Sequence, residues 1–132
     1  MSAPNVVDSS AWLEYLADTP RAKTFAAAIE DTGNLIVPVV CVFEVFRKVL
    51  RERGETAALQ VAGVMQSAQV VPLDASLALA AARYDLPLAD SLIYATARAC
   101  GAVLWTQDEH FKDLPGVKFF PKKVLTSSPA TS

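Results

Sequence analysis

Four carboxylates stand out in the 132-residue chain because of where they fall: Asp8, Glu44, Asp90 and Asp108. Asp8 closes the β-branched run Val6-Val7. Glu44 lies among Val42, Phe43, Val45 and Phe46. An unpaired Glu in an apolar helical stretch is rare, because burying its charge is costly. Asp90 follows Pro87-Leu88-Ala89, where a helix starts, and the macrodipole favours an ionised acid in a first helical turn. Asp108 stands just past the run Val103-Leu104-Trp105-Thr106. Each has an ordinary explanation taken singly: Asp8, Asp90 and Asp108 as helix-start or cap residues, Glu44 as an i,i+4 partner of Lys48. Gathered at one edge they would repel, and one would take up a proton. A hard divalent cation removes that penalty. Mg²⁺ takes oxygen ligands and keeps several waters, and such an ion activates water for in-line attack at phosphorus. The chemistry this pattern points to is metal-dependent phosphodiester hydrolysis.

Other chemistries find no support. His110 is the sole histidine, and there is no HExxH or Cys/His quartet for zinc. No GxxxxGK[ST] or GxGxxG stretch is present. Cys41 and Cys100 sit in apolar surroundings without CxxC spacing and read as buried thiols. The net charge of −2 does not announce nucleic-acid binding, but distribution matters more than the sum. With four of the fourteen acids assigned to one site, ten remain against twelve Lys and Arg. Arg47, Lys48, Arg51 and Arg53 follow Glu44 on its own helix. They read equally well as a solvated face or as phosphate contacts.

The elements that must position these groups alternate. Val6-Val7 is a strand, and a helix from the Ser9-Ser10 cap runs through Leu16. Thr19-Pro20 opens a helix to about Asp31, stopped by Gly33. Leu35 to Val37 is a buried strand. Val39 to Arg51 is a helix with an apolar stripe of Val39, Val42, Phe43, Phe46, Val49 and Leu50. Gly54 breaks it, and Glu55 to Ala68 is the next helix. A strand over Gln69 to Leu73 precedes a helix from Ala75 to Tyr84 with Asp74 as its cap. The helix from Leu88 to Gly101 buries Leu88, Leu92, Ile93, Thr96 and Cys100. A strand follows over Ala102 to Thr106, then a helical turn from Asp108 to Leu114. Val117 to Phe120 is an edge strand. Strands alternating with helices predict an α/β domain with a mainly parallel sheet, whose site lies outside the carboxyl ends of its strands. Asp8 and Asp108 fall at such ends.

These residues carry a family resemblance. Asn5-Val6-Val7-Asp8-Ser9-Ser10, Val37-Pro38 with Glu44 after five further residues, Pro87 through Ala97, and Thr106-Gln107-Asp108-Glu109-His110-Phe111 resemble the four motifs of PIN-domain ribonucleases, most of all the VapC toxins of type II toxin–antitoxin modules. The resemblance runs from Val6 to about Val124. It implies a five-stranded parallel sheet flanked by helices and Mg²⁺- or Mn²⁺-dependent cleavage of single-stranded or looped RNA. Asp8, Glu44, Asp90 and Asp108 would form the metal site, with Ser9 and Thr106 as hydrogen-bonding groups behind them. It also implies a cognate antitoxin as partner and a homodimer.

Length and composition bound the rest. A chain of this size, half of it apolar, is one domain with a sizeable core. The boundaries expected are 1–125 for the domain and 126–132 for a frayed polar tail. The longest apolar stretch is too short to span a bilayer, and no signal peptide is evident, so a cytoplasmic protein is expected. Two rival readings are a receiver-like signalling domain, which lacks here the second acid and the late Lys it needs, and a PIN-like fold that binds RNA or protein without cutting.

Overall fold

Five short apolar runs pair side by side in the computed structural model, which describes residues 3–122. They are β1 (Asn5–Val7), β2 (Leu35–Pro38), β3 (Gln69–Val71), β4 (Val103–Thr106) and β5 (Val117–Phe119). The order is β3-β2-β1-β4-β5, and every pairing is parallel. The interior strands are covered on both faces, which is why they read as continuous apolar runs rather than alternating ones. Val6, Val7 and Leu35 to Pro38 are all buried, whereas the edge strands β3 and β5 are only partly covered.

Among the described residues six α-helices make the first three crossovers, α1 (Ser9–Leu16), α2 (Ala22–Ile29), α3 (Val39–Arg53), α4 (Glu55–Gln66), α5 (Ala75–Ala81) and α6 (Leu88–Ala99), and a 3-10 turn over Glu109–Phe111 lies between β4 and β5. Trp12, Phe25, Val45, Met65, Ile93, Leu104 and Phe111 are among the core residues that join them to the sheet. Asp74 caps α5 as expected, its side chain accepting from the Leu77 N–H at 2.9 Å. Gly54, with φ of 89°, separates α3 from α4 in a conformation that L side chains rarely adopt. No helix among the described residues is long and apolar enough to cross a membrane. The expected domain end at 125 and the tail at 126–132 lie outside the described residues.

Several expectations are corrected. The cap of α1 is Asp8 rather than a serine, since the Asp8 carboxylate accepts the Ala11 N–H at 3.0 Å. Helix α2 starts at Ala22, because the Thr19 hydroxyl accepts the Arg21 N–H in a turn that precedes it. Helix α3 runs two residues past Arg51, and α5 stops at Ala81 rather than Tyr84. The buried face of α3 is Cys41, Val45 and Val49; Phe43 is 58% exposed, and Val39 and Leu50 are also exposed. Of the expected stripe, Val49 is buried and Val42 and Phe46 pack partly against the core, so the helix is apolar on more than one side and its buried centre lies on the Cys41 row. Likewise Leu88 on α6 is 79% exposed, while Ile93, Tyr94 and Ala97 are buried.

Candidate active site

Parallel pairing of β1 with β4 sets Val7 opposite Trp105, so the chain leaves both strands at the same edge. Asp8 and Thr106 meet there. The Thr106 hydroxyl donates to Asp8 Oδ2. It also accepts the backbone N–H of Asp108 at 2.9 Å. One buried hydroxyl therefore fixes both the Asp8 carboxylate and the backbone at Asp108. Asp8 is 3% exposed. Burial pushes its pKa up to about 6, and the charges of Asp108 and Asp90 add to the shift, while hydrogen bonds from Thr106 and Ala11 oppose it.

Glu44 reaches the same edge from the second turn of α3. Its Oε1 accepts the Ser9 hydroxyl at 2.6 Å, tying α3 to the start of α1. Lys48 is not its partner: that ammonium pairs with Glu52 at 2.9 Å. Asp90 projects from the first turn of α6. Partial burial, then the Asp108 charge, hold its pKa above the ordinary carboxylate value. Asp8, Ser9, Glu44, Lys48, Asp90 and Asp108 line one cleft of about 330 Å³.

His110 is the residue that sequence reading missed. Its side chain is half exposed. Its Nδ1, however, lies 2.8 Å from Asp90 Oδ2 and 3.1 Å from Asp108 Oδ1. Asp108 first, then Asp90, raise its pKa. The signal was the Asp-x-His spacing in a turn. Asp108 Oδ1 accepts the His110 N–H at 2.9 Å, an Asx-type turn that returns the ring toward the same carboxylate. Gln107 was missed as well. It is buried, donates to Glu14 Oε2 at 2.8 Å and accepts Arg21 Nε at 2.5 Å. This braces the Thr106–Asp108 segment against α1 and the turn before α2.

The structure divides the basic cluster. Arg47, Lys48 and Arg51 border a groove that also contains Glu44. Arg53 lines a different cleft, with Leu13, Leu16 and Val49, and Lys48 borders both. The donor set suits a divalent cation. Ligand atoms from Asp90, Asp108 and His110 lie within 4.8 Å of one another, and two further carboxylates share the cleft. Oxygen donors suit Mg²⁺ and Mn²⁺.

An all-parallel domain with carboxylates gathered where β1 and β4 end and where α3 and α6 begin is a small acidic-site α/β protein. The family model of the PIN domain matches residues 6–117, and the chain belongs to the PIN domain family. The receiver-like reading falls with that assignment. Among solved structures, a toxin–antitoxin complex from Klebsiella pneumoniae is similar, with a TM-score of 0.75 and 19% identity over 93% of this chain and 100% of that one. VapC20 of Mycobacterium tuberculosis, described as a sarcin–ricin loop cleaving toxin, gives 0.72 and 21% over 89% and 99%. A DNA-bound VapBC from Salmonella typhimurium gives 0.69 and 14% over 91% and 98%. At these identities the likeness is one of fold. Comparison with curated proteins finds no match.

Proposed function

We propose that this protein is a metal-dependent endoribonuclease and the toxin of a toxin–antitoxin pair. The observation that carries the reading is the single cleft shared by Asp8, Glu44, Asp90 and Asp108, with Lys48 on its wall. A bound Mg²⁺ or Mn²⁺ would supply an activated water and offset charge developing at phosphorus. Asp8, Glu44, Asp90 and Asp108 would hold it. Thr106 keeps Asp8 and the Asp108 backbone in register, and Ser9 keeps Glu44 turned toward α1. Arg47, Lys48 and Arg51 would bind phosphates on either side of the scissile bond. Arg53, in its separate cleft, is not assigned this role. The solved relatives named as toxin–antitoxin or VapBC assemblies support an antitoxin as partner. Phe43, Leu50 and Leu59 are exposed apolar side chains on α3 and α4 that pairing with a second copy of this chain would cover. An RNA substrate fits the cytoplasmic location expected from the sequence.

The test is incubation of the purified, antitoxin-free protein with a mixed RNA pool and either cation, followed by end mapping. Attack by water leaves one linear phosphomonoester end and one hydroxyl end, 5′-phosphate with 3′-hydroxyl where the 3′-oxygen departs and 3′-phosphate with 5′-hydroxyl where the 5′-oxygen does. Cyclic 2′,3′-phosphate ends would mean attack by the ribose hydroxyl and would overturn the mechanism.

Two further outcomes are expected. Arg51→Ala should weaken RNA binding and reduce its dependence on log salt by about one unit, as for the loss of one phosphate contact. Filter binding at several salt concentrations checks this, and an unchanged slope removes Arg51 from the phosphate path. The second concerns pH. Asp8, Asp90 and His110 all have raised pKa values, so the folded state binds these protons more tightly than the unfolded chain. Stability from this cluster is present at low pH and is lost as pH rises, for Asp8 through about 6. A cation takes the place of those protons. The gain in melting temperature on adding Mn²⁺ should therefore be larger at pH 7 than at pH 5, and equal gains would contradict the assignment.

A further inference from the structure

We infer that His110 is a nitrogen ligand of this metal site and biases it from Mg²⁺ toward Mn²⁺. The inference rests on the proposed metal site and goes beyond it, because the four motif positions that carry the family resemblance are all carboxylates.

His110 Nδ1 lies 2.8 Å from Asp90 Oδ2 and 3.1 Å from Asp108 Oδ1. Adjacent ligands of an octahedral ion with arms of about 2.1 Å are about 3.0 Å apart. The imidazole nitrogen thus already stands at the spacing of a neighbouring ligand to both carboxylates. Its position is set by the backbone: the His110 N–H bonds to Asp108 Oδ1, and Asp108 N–H bonds in turn to the buried Thr106 hydroxyl. The ring is therefore carried by the turn that presents Asp108.

The same contact in the metal-free protein is a hydrogen bond from the ring to two acids. A nitrogen donor changes selectivity. Mg²⁺ takes oxygen ligands and gives up water reluctantly, so an imidazole adds little to its binding. Mn²⁺ stands lowest in the first-row series but, as a less hard transition ion, accepts an imidazole nitrogen more readily than Mg²⁺ does.

The experiment is titration of Mn²⁺ into the full metal-free chain, wild type and His110→Ala, read by pulsed EPR for coupling to ¹⁴N. Calorimetry with Mn²⁺ and Mg²⁺ is run in parallel, and thermal melts check folding. The exposed position of His110 leaves the core untouched in the variant. Wild type should show a directly coordinated ¹⁴N that the variant lacks. Mn²⁺ affinity should fall about tenfold in the variant while Mg²⁺ affinity stays within about twofold. Mn²⁺ bound with no ¹⁴N coupling in wild type, or with equal coupling in both proteins, would overturn the role of His110 and leave the acidic site standing. Absence of Mn²⁺ binding in both proteins would overturn the site itself.

Discussion

Asp90→Asn should abolish RNA cleavage, lowering the rate on the order of a hundredfold or more, while the protein still folds. The change removes one negative charge without changing volume. Asp90 lies 2.8 Å from His110 Nδ1, and an amide oxygen can accept the same hydrogen bond. Its carboxylate is held above its ordinary pKa by partial burial and by Asp108, so neutralising it also relieves repulsion in the metal-free state. The melting temperature without metal should be unchanged or slightly higher. The rise in melting temperature that Mn²⁺ gives the wild type should largely vanish. Calorimetric titration and paired melts measure both. Full activity in this variant would sink the metal-site assignment.

Thr106→Val should damage stability and activity together. Thr106 is fully buried, and its hydroxyl is shared between Asp8 Oδ2 and the Asp108 N–H. Valine keeps the shape and removes both bonds. Asp8 Oδ2 and the partly buried Asp108 N–H then lose this partner, while Asp8 Oδ1 keeps the Ala11 N–H, at a cost on the order of 2–3 kcal/mol. For a domain of this size that corresponds to a fall in melting temperature of about 10 °C. The Asp8 carboxylate also loses a hydrogen bond that favours its charged form, so its pKa moves above about 6. Metal binding should then require higher pH than in wild type. Thr106→Ser, which restores the hydroxyl, should recover most of both losses. A valine variant with wild-type melting and metal binding would show that the hydroxyl does not organise the site.

The alternation of strands and helices was legible because buried strands and amphipathic helices leave local patterns. So were Asp74 as a cap and Gly54 as a break, since these depend on the backbone within a turn or two. The four acids were legible because each stands beside an apolar run, and the structure lines one cleft with all of them. What escaped depends on how a helix is rotated about its axis. The rotation of α3 buries Cys41, Val45 and Val49 and exposes Phe43, whereas the departure of Arg53 from the row of Arg47 and Arg51 follows from helical spacing itself. An apolar residue on each side of a helix leaves that rotation undetermined until the sheet and α4 are in place. His110 escaped for another reason. Its approach to Asp90 joins residues twenty apart, and only the docking of α6 beside β4 brings them together.

The central claim is that the acids in this cleft serve a cation that cuts RNA. The most direct measurement is cleavage of a mixed RNA pool before chelation with EDTA, after it, and again after Mn²⁺ or Mg²⁺ is restored. Cutting should stop on chelation and return with the cation. Cutting that persists at full rate in excess EDTA would contradict that claim.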